Sequence, residues 1–214
     1  MKLLIIDDMA EMIILAQKQF QELNQAFNKN NVYFFQKKSS DLAIRKFSDY
    51  SSSEEIKNCS FEGFDEKYVY ELIKTFIEET DLNEQIFVII DVCLKTEYTG
   101  AFTLEDYEDS KEISAQIYRW LVGVRKELNR GWNLQFLIYS RSEIFVDVIY
   151  NELDKTHKPD FEPIISRIDY LPQNISWAFN LWRPQQQTIE KKVTNKYPIF
   201  LNDDVVNYFK GLKE

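Results

Sequence analysis

The sequence predicts an α/β fold: an open, doubly wound sheet of five parallel strands. Three observations predict it. Two apolar runs, Leu3-Leu4-Ile5-Ile6 and Ile86-Phe87-Val88-Ile89-Ile90, are continuous rather than alternating, as in strands buried on both faces. Between such runs, apolar residues recur at steps of three and four. Strand-like and helix-like segments then alternate along the chain, which is the order of a parallel sheet with crossover helices.

Each element follows in turn. Residues 2–7 read as the first strand. Residues 9–24 read as a helix, with Met12, Ile13, Ala16 and Phe20 on one face. Residues 31–36 (NVYFFQ) form a short aromatic strand. Ser39-Ser40-Asp41 is an N-cap signal, so residues 42–47 are expected to be helical. Residues 51–65 open with three serines and read as a loop. Residues 66–80 read as an amphipathic helix carrying Val69, Leu72, Ile73, Phe76 and Ile77, expected to pack on the parent sheet. The strand Ile86–Asp91 follows, then an acidic loop over 92–109. Residues 110–129 give the strongest helical pattern, with Ile113, Ile117, Trp120, Leu121, Val124 and Leu128 in register. Leu134–Tyr139 is another strand, followed by helix at 143–155, a last strand at 163–170 and helix at 174–182. The remainder, 183–214, is a C-terminal extension with a polar linker, an aromatic stretch and a short terminal helix.

Composition narrows the function classes. The chain has 214 residues and a net charge of −9. Residues 51–85 hold ten acids and three lysines, so this acidic segment alone accounts for −7. An acidic chain without a basic patch does not suit nucleic acid. Two cysteines and one histidine exclude a Cys/His metal site. Asp7 and Asp8 interrupt the N-terminal apolar run, so no signal peptide is expected, and no stretch reaches membrane-spanning length. A soluble cytoplasmic protein is the simplest expectation.

The chemistry concentrates in three aspartates. Asp7-Asp8 closes the first apolar run and Asp91 closes the second. Ligand sites in open α/β sheets lie beyond the carboxyl ends of the strands. If the two strands adjoin, three carboxylates converge, and crowded carboxylates repel until a hard cation such as Mg²⁺ joins them. The plainer reading is that Asp7 and Asp8 merely cap the next helix. One aspartate suffices for a cap; two, with Asp91 besides, exceed that need.

This placement resembles the receiver domain of two-component response regulators. Receivers open with an apolar strand ending in an acidic pair, as Leu3 to Asp8 does. They carry a phospho-accepting aspartate at the end of the third strand, as the run ending in Asp91 does. A Ser or Thr follows their fourth strand, as Ser140 does here, and a glycine lies shortly past the phospho-acceptor, as Gly100 does. The resemblance spans residues 1–182, with an acidic helical insert at about 51–85 that ordinary receivers lack. It implies a flavodoxin-like fold, with Asp91 as phospho-acceptor and Ser140 bonding the acyl phosphate. Mg²⁺ would be held by Asp7, Asp8, Asp91 and the backbone carbonyl of Cys93. It also implies a protein partner, a histidine kinase or a downstream effector, and a surface for partner binding or for a homodimer. The chain departs from the receiver pattern where Leu171-Pro172 replaces the usual Lys-Pro pair and Ile168 occupies the aromatic switch position. Arg167 lies on the same strand face as residue 171 but four residues earlier, Arg141 and Lys95 are loop cations, and none of them is a convincing substitute.

Two other functions compete. One is a Mg²⁺-dependent phosphotransferase or phosphohydrolase of the haloacid-dehalogenase type, but such enzymes need Asp-x-Asp and this chain has Asp7-Asp8-Met9. The other is a non-catalytic acidic interaction protein with structural aspartates. The expected role is regulatory phospho-acceptance rather than enzymatic turnover.

Overall fold

The computed structural model describes residues 1–38, 41–59, 65–91, 94, 104–139, 207 and 209–212. Five strands form one sheet: β1 (Lys2–Ile6), β2 (Val32–Lys38), β3 (Asp41–Lys46), β4 (Ile86–Asp91) and β5 (Leu134–Tyr139). Their spatial order is β3-β2-β1-β4-β5. β1 runs parallel to both β2 and β4, and β4 runs parallel to β5. Only β3 is antiparallel, pairing along β2 from Tyr33↔Lys46 to Lys38↔Asp41. Among the described residues, three α-helices accompany the sheet: α1 (Ala10–Leu23), α2 (Glu66–Glu78) and α3 (Leu104–Glu127). The fold is therefore α/β, with a mostly parallel sheet. Among the described residues, no helix is long and apolar enough to cross a membrane.

The register assigns the helices to opposite faces. Leu3, Val32 and Phe87 lie side by side in the sheet and so share one face. On that face Phe87 meets Phe27 and Phe209 edge-on, and both of those rings contact Phe20 of α1. Leu4, Tyr33, Val88 and Phe136 share the other face. There Tyr33 packs on Phe76 of α2 at 4.9 Å between ring centres, and Phe136 packs on Tyr118 of α3 at 5.7 Å. Tyr70 of α2 also meets Trp120 of α3. Both faces of the sheet are thus covered, and this is why Leu3, Leu4, Ile5 and Ile6 are all fully buried.

Two expectations need correction. Residues 42–47 are not a helix; Asp41–Lys46 is the edge strand β3. Six residues are too few to hold a helix unaided, whereas the open side of β2 offers a full ladder of partners. The sheet is accordingly not all parallel. The helix of the acidic segment packs on the sheet, as expected. It supplies the crossover between the β2–β3 hairpin and β4, with Val69, Ile73 and Ile77 buried in the common core. Helix α3 starts at Leu104, earlier than the periodicity suggested, and the loop after β3 contains 3-10 turns at Phe47–Asp49 and Ser53–Glu55. The elements expected at 143–155, 163–170 and 174–182 lie outside the described residues.

Arg130 ties the two helices of one face together. It follows α3 in a tight turn between Asn129 (φ 50°) and Gly131 (φ 53°). Its buried guanidinium donates to the carbonyls of Ile77, Thr80 and Asp81 at the end of α2. A cation there adds a second donor to the Ile77 and Asp81 carbonyls, which already accept backbone amides, and complements the negative end of the helix dipole. Arg130→Met is expected to remove the guanidinium donor from all three carbonyls, of which those of Ile77 and Asp81 keep a backbone amide partner, and to cost about 2–3 kcal/mol in urea unfolding. A loss below about 0.5 kcal/mol would show that the cap is dispensable.

Candidate metal centre

β1 is the point at which the sheet changes direction. The chain leaves β1 for β2 on one side and returns to β4 on the other. At such a switch point the connections diverge and open a crevice at the carboxyl ends of the strands. Ile6 pairs with Ile90, so Asp7 and Asp91 stand level at those ends. Asp8 follows in the turn into α1.

The three carboxylates converge there. Each of Asp7, Asp8 and Asp91 offers an oxygen, and these oxygens all lie within 4.8 Å of one another. Asp7 and Asp8 are buried, at 1% and 3% exposure, and Asp91 is half-buried. Burial makes the mutual repulsion of carboxylates stronger than it is in water. The set fits a hard dication. Two oxygens on opposite sides of Mg²⁺ stand roughly 4.2 Å apart, and on Ca²⁺ roughly 4.8 Å. Oxygens no more than 4.8 Å apart lie within the span of the ligands around one such ion.

The surroundings fix the acids in place. Asp7 Oδ1 accepts the Met9 amide at 2.7 Å, which turns the chain into α1. Met9 is the N-cap residue of α1 and offers no side-chain cap; Asn58 does so from a distant loop, its Oδ1 accepting the Ala10 amide at 3.0 Å. The next residue, Cys59, donates its amide to the Asp8 carbonyl at 2.8 Å. On the other strand, the buried Ser114 hydroxyl of α3 donates to the Asp91 carbonyl at 2.7 Å. Cys59 is no nucleophile. Burial, reinforced by the Asp8 charge against the opposing influence of Lys37, pushes its thiol up to about 11.

Asp7, Asp8 and Asp91, the residues singled out by sequence, are brought together. Cys93 and Ser140 lie outside the described residues, as do Lys95, Arg141, Arg167, Ile168 and Leu171. No protein-family model, curated protein or solved structure matches the chain. The sequence reading overlooked Ser114, Asn58 and Gln36. Ser114 did leave a trace, as a small polar residue beside Ile113 and Ile117 on the apolar face of α3. Gln36, ending an otherwise aromatic strand at 3% exposure, left a similar one. Asn58 left none, because its partner is 48 residues away.

Proposed function

We propose that this chain is a receiver-like signalling module that binds Mg²⁺ through Asp7, Asp8 and Asp91 and accepts a phosphoryl group on Asp91. The observation that carries the reading is the meeting of three carboxylates at the switch point of a mostly parallel sheet. Removing β3, the remaining order among the described residues, β2-β1-β4-β5, matches the first four strands of a flavodoxin-like sheet.

In this reading an Asp91 carboxylate oxygen attacks the phosphorus of a small or protein-borne donor. The bond to the donor's leaving group breaks, and Asp91 carries an acyl phosphate. Bound Mg²⁺ neutralises phosphoryl charge. Asp7 and Asp8 hold that ion, while the Ser114 hydroxyl keeps the Asp91 backbone in place. Leu171 in place of lysine removes one cation from the phosphoryl oxygens, so slow phosphorylation is expected. The output is an altered surface for a protein partner, such as a histidine kinase or an effector.

Intact mass after incubation with acetyl phosphate and Mg²⁺ tests the proposal. The expected result is a gain of one phosphoryl group that is absent in Asp91→Asn. A gain that persists in Asp91→Asn would place the acceptor elsewhere. No gain in the wild type, with Mg²⁺ binding intact, would make the module a degenerate receiver that works through protein contacts alone.

A further inference from the structure

We infer that Gln36 is a positioning residue for the acid cluster, acting through the strap 56–59. The inference rests on reading Asp7, Asp8 and Asp91 as a Mg²⁺ site. Gln36 lies near the carboxyl end of β2 and is buried. Its side-chain amide grips one peptide unit group for group: Nε2 donates to the Lys57 carbonyl at 3.0 Å, and Oε1 accepts the Lys57 amide at 3.1 Å. A strand neighbour would make the same pair of bonds. Gln36 thus anchors the strap as if it were one more residue of the sheet.

The next two residues of the strap act on the site. Asn58 caps α1 at Ala10, and Cys59 holds the Asp8 carbonyl. Asp8 is therefore fixed from both sides: by the start of α1, which Asn58 caps, and by Cys59 at its own carbonyl. Ile56 is buried ahead of them, so the strap is pinned at each end. A carboxylate pair facing a third needs such restraint, because repulsion between the acids otherwise turns them apart when no cation is present. Groups that orient metal ligands without touching the metal commonly govern affinity by about 10–100-fold.

The test compares Mg²⁺ affinity by calorimetry in the wild type, Gln36→Leu, Asn58→Ala and Arg130→Met. Gln36→Leu is expected to weaken Mg²⁺ binding about tenfold, and Asn58→Ala is expected to weaken it in the same direction. In metal-free Gln36→Leu and Asn58→Ala, the Ala10 amide should exchange with solvent faster. Arg130→Met, destabilised at the far end of α2, should keep wild-type affinity. Lowered stability of Gln36→Leu with unchanged Mg²⁺ affinity would overturn the inference and leave the strap merely structural. If Gln36→Leu fails to fold, unchanged affinity in Asn58→Ala overturns it equally. A wild type that binds no Mg²⁺ would instead remove the metal reading itself, and the inference with it.

Discussion

Asp8→Asn is expected to raise the thermal midpoint of the metal-free protein and to abolish its rise with Mg²⁺. The two effects have opposite signs because one carboxylate enters two balances. Without a cation, Asp8 is buried within 4.8 Å of two other carboxylates. Unit charges at that spacing repel by roughly 3.5 kcal/mol at an effective dielectric constant of ~20. Structural relaxation and the acids' other interactions relieve much of that, so the neutral amide should gain about 1–2 kcal/mol. With Mg²⁺, the same oxygen is a ligand. Only the folded chain assembles the site, so Mg²⁺ at ten times its dissociation constant adds about 1.4 kcal/mol to the wild type. For a chain of this size, that shift amounts to roughly 3–6 °C. Thermal scans of both proteins in EDTA and in millimolar Mg²⁺ check both signs. A wild-type midpoint indifferent to Mg²⁺ would count against a metal site, and a lower metal-free midpoint for Asp8→Asn would show that Asp8 stabilises the fold on its own.

Phe209→Ala is expected to cost about 3–5 kcal/mol, although Phe209 lies within six residues of the end of the chain. Its ring is 1% exposed and meets three others edge-on: Phe20 of α1 at 4.8 Å, Phe87 of β4 at 5.3 Å and Phe27 at 5.7 Å. Asn24, at the end of α1, fastens the same segment by donating from Nδ2 to the carbonyls of Phe209 and Leu212, at 3.1 and 3.0 Å. Loss of the ring would leave a cavity lined by aromatic groups that cannot collapse without moving α1 off the sheet. Urea unfolding of Phe209→Ala reads the cost directly. A loss under about 1 kcal/mol would mean that the C-terminal segment is an ornament on an independent core. A loss of the expected size makes the segment around Phe209 part of the sheet's covering layer, opposite α2 and α3.

The elements that could be read locally are those whose signal lies within a single stretch of chain. β1 and β4 are continuous apolar runs, β5 is one interrupted only by Gln135, and α1, α2 and α3 each repeat their apolar residues near the helical period. The aspartates could also be read, because they stand where two of those runs stop. The segment Leu42-Ala43-Ile44 could not be read in the same way. Its short apolar content suits a helix or a strand, and Ser39-Ser40 argued for the helix. What tipped it was the unpaired side of β2, a feature of the sheet and not of the segment.

The sequence by itself determined the α/β class, the main helices and strands, and the candidacy of Asp7, Asp8 and Asp91, since hydrophobic period and residue order are local properties. Tertiary structure alone decided that β1 and β4 adjoin, so that the three carboxylates meet. It also decided that Asn58 caps α1, that Gln36 grips the strap, and that Phe209 closes the face beside α1. Each of these depends on partners 21 or more residues apart, brought together only when burial of both sheet faces offsets the entropy of closing the intervening loops.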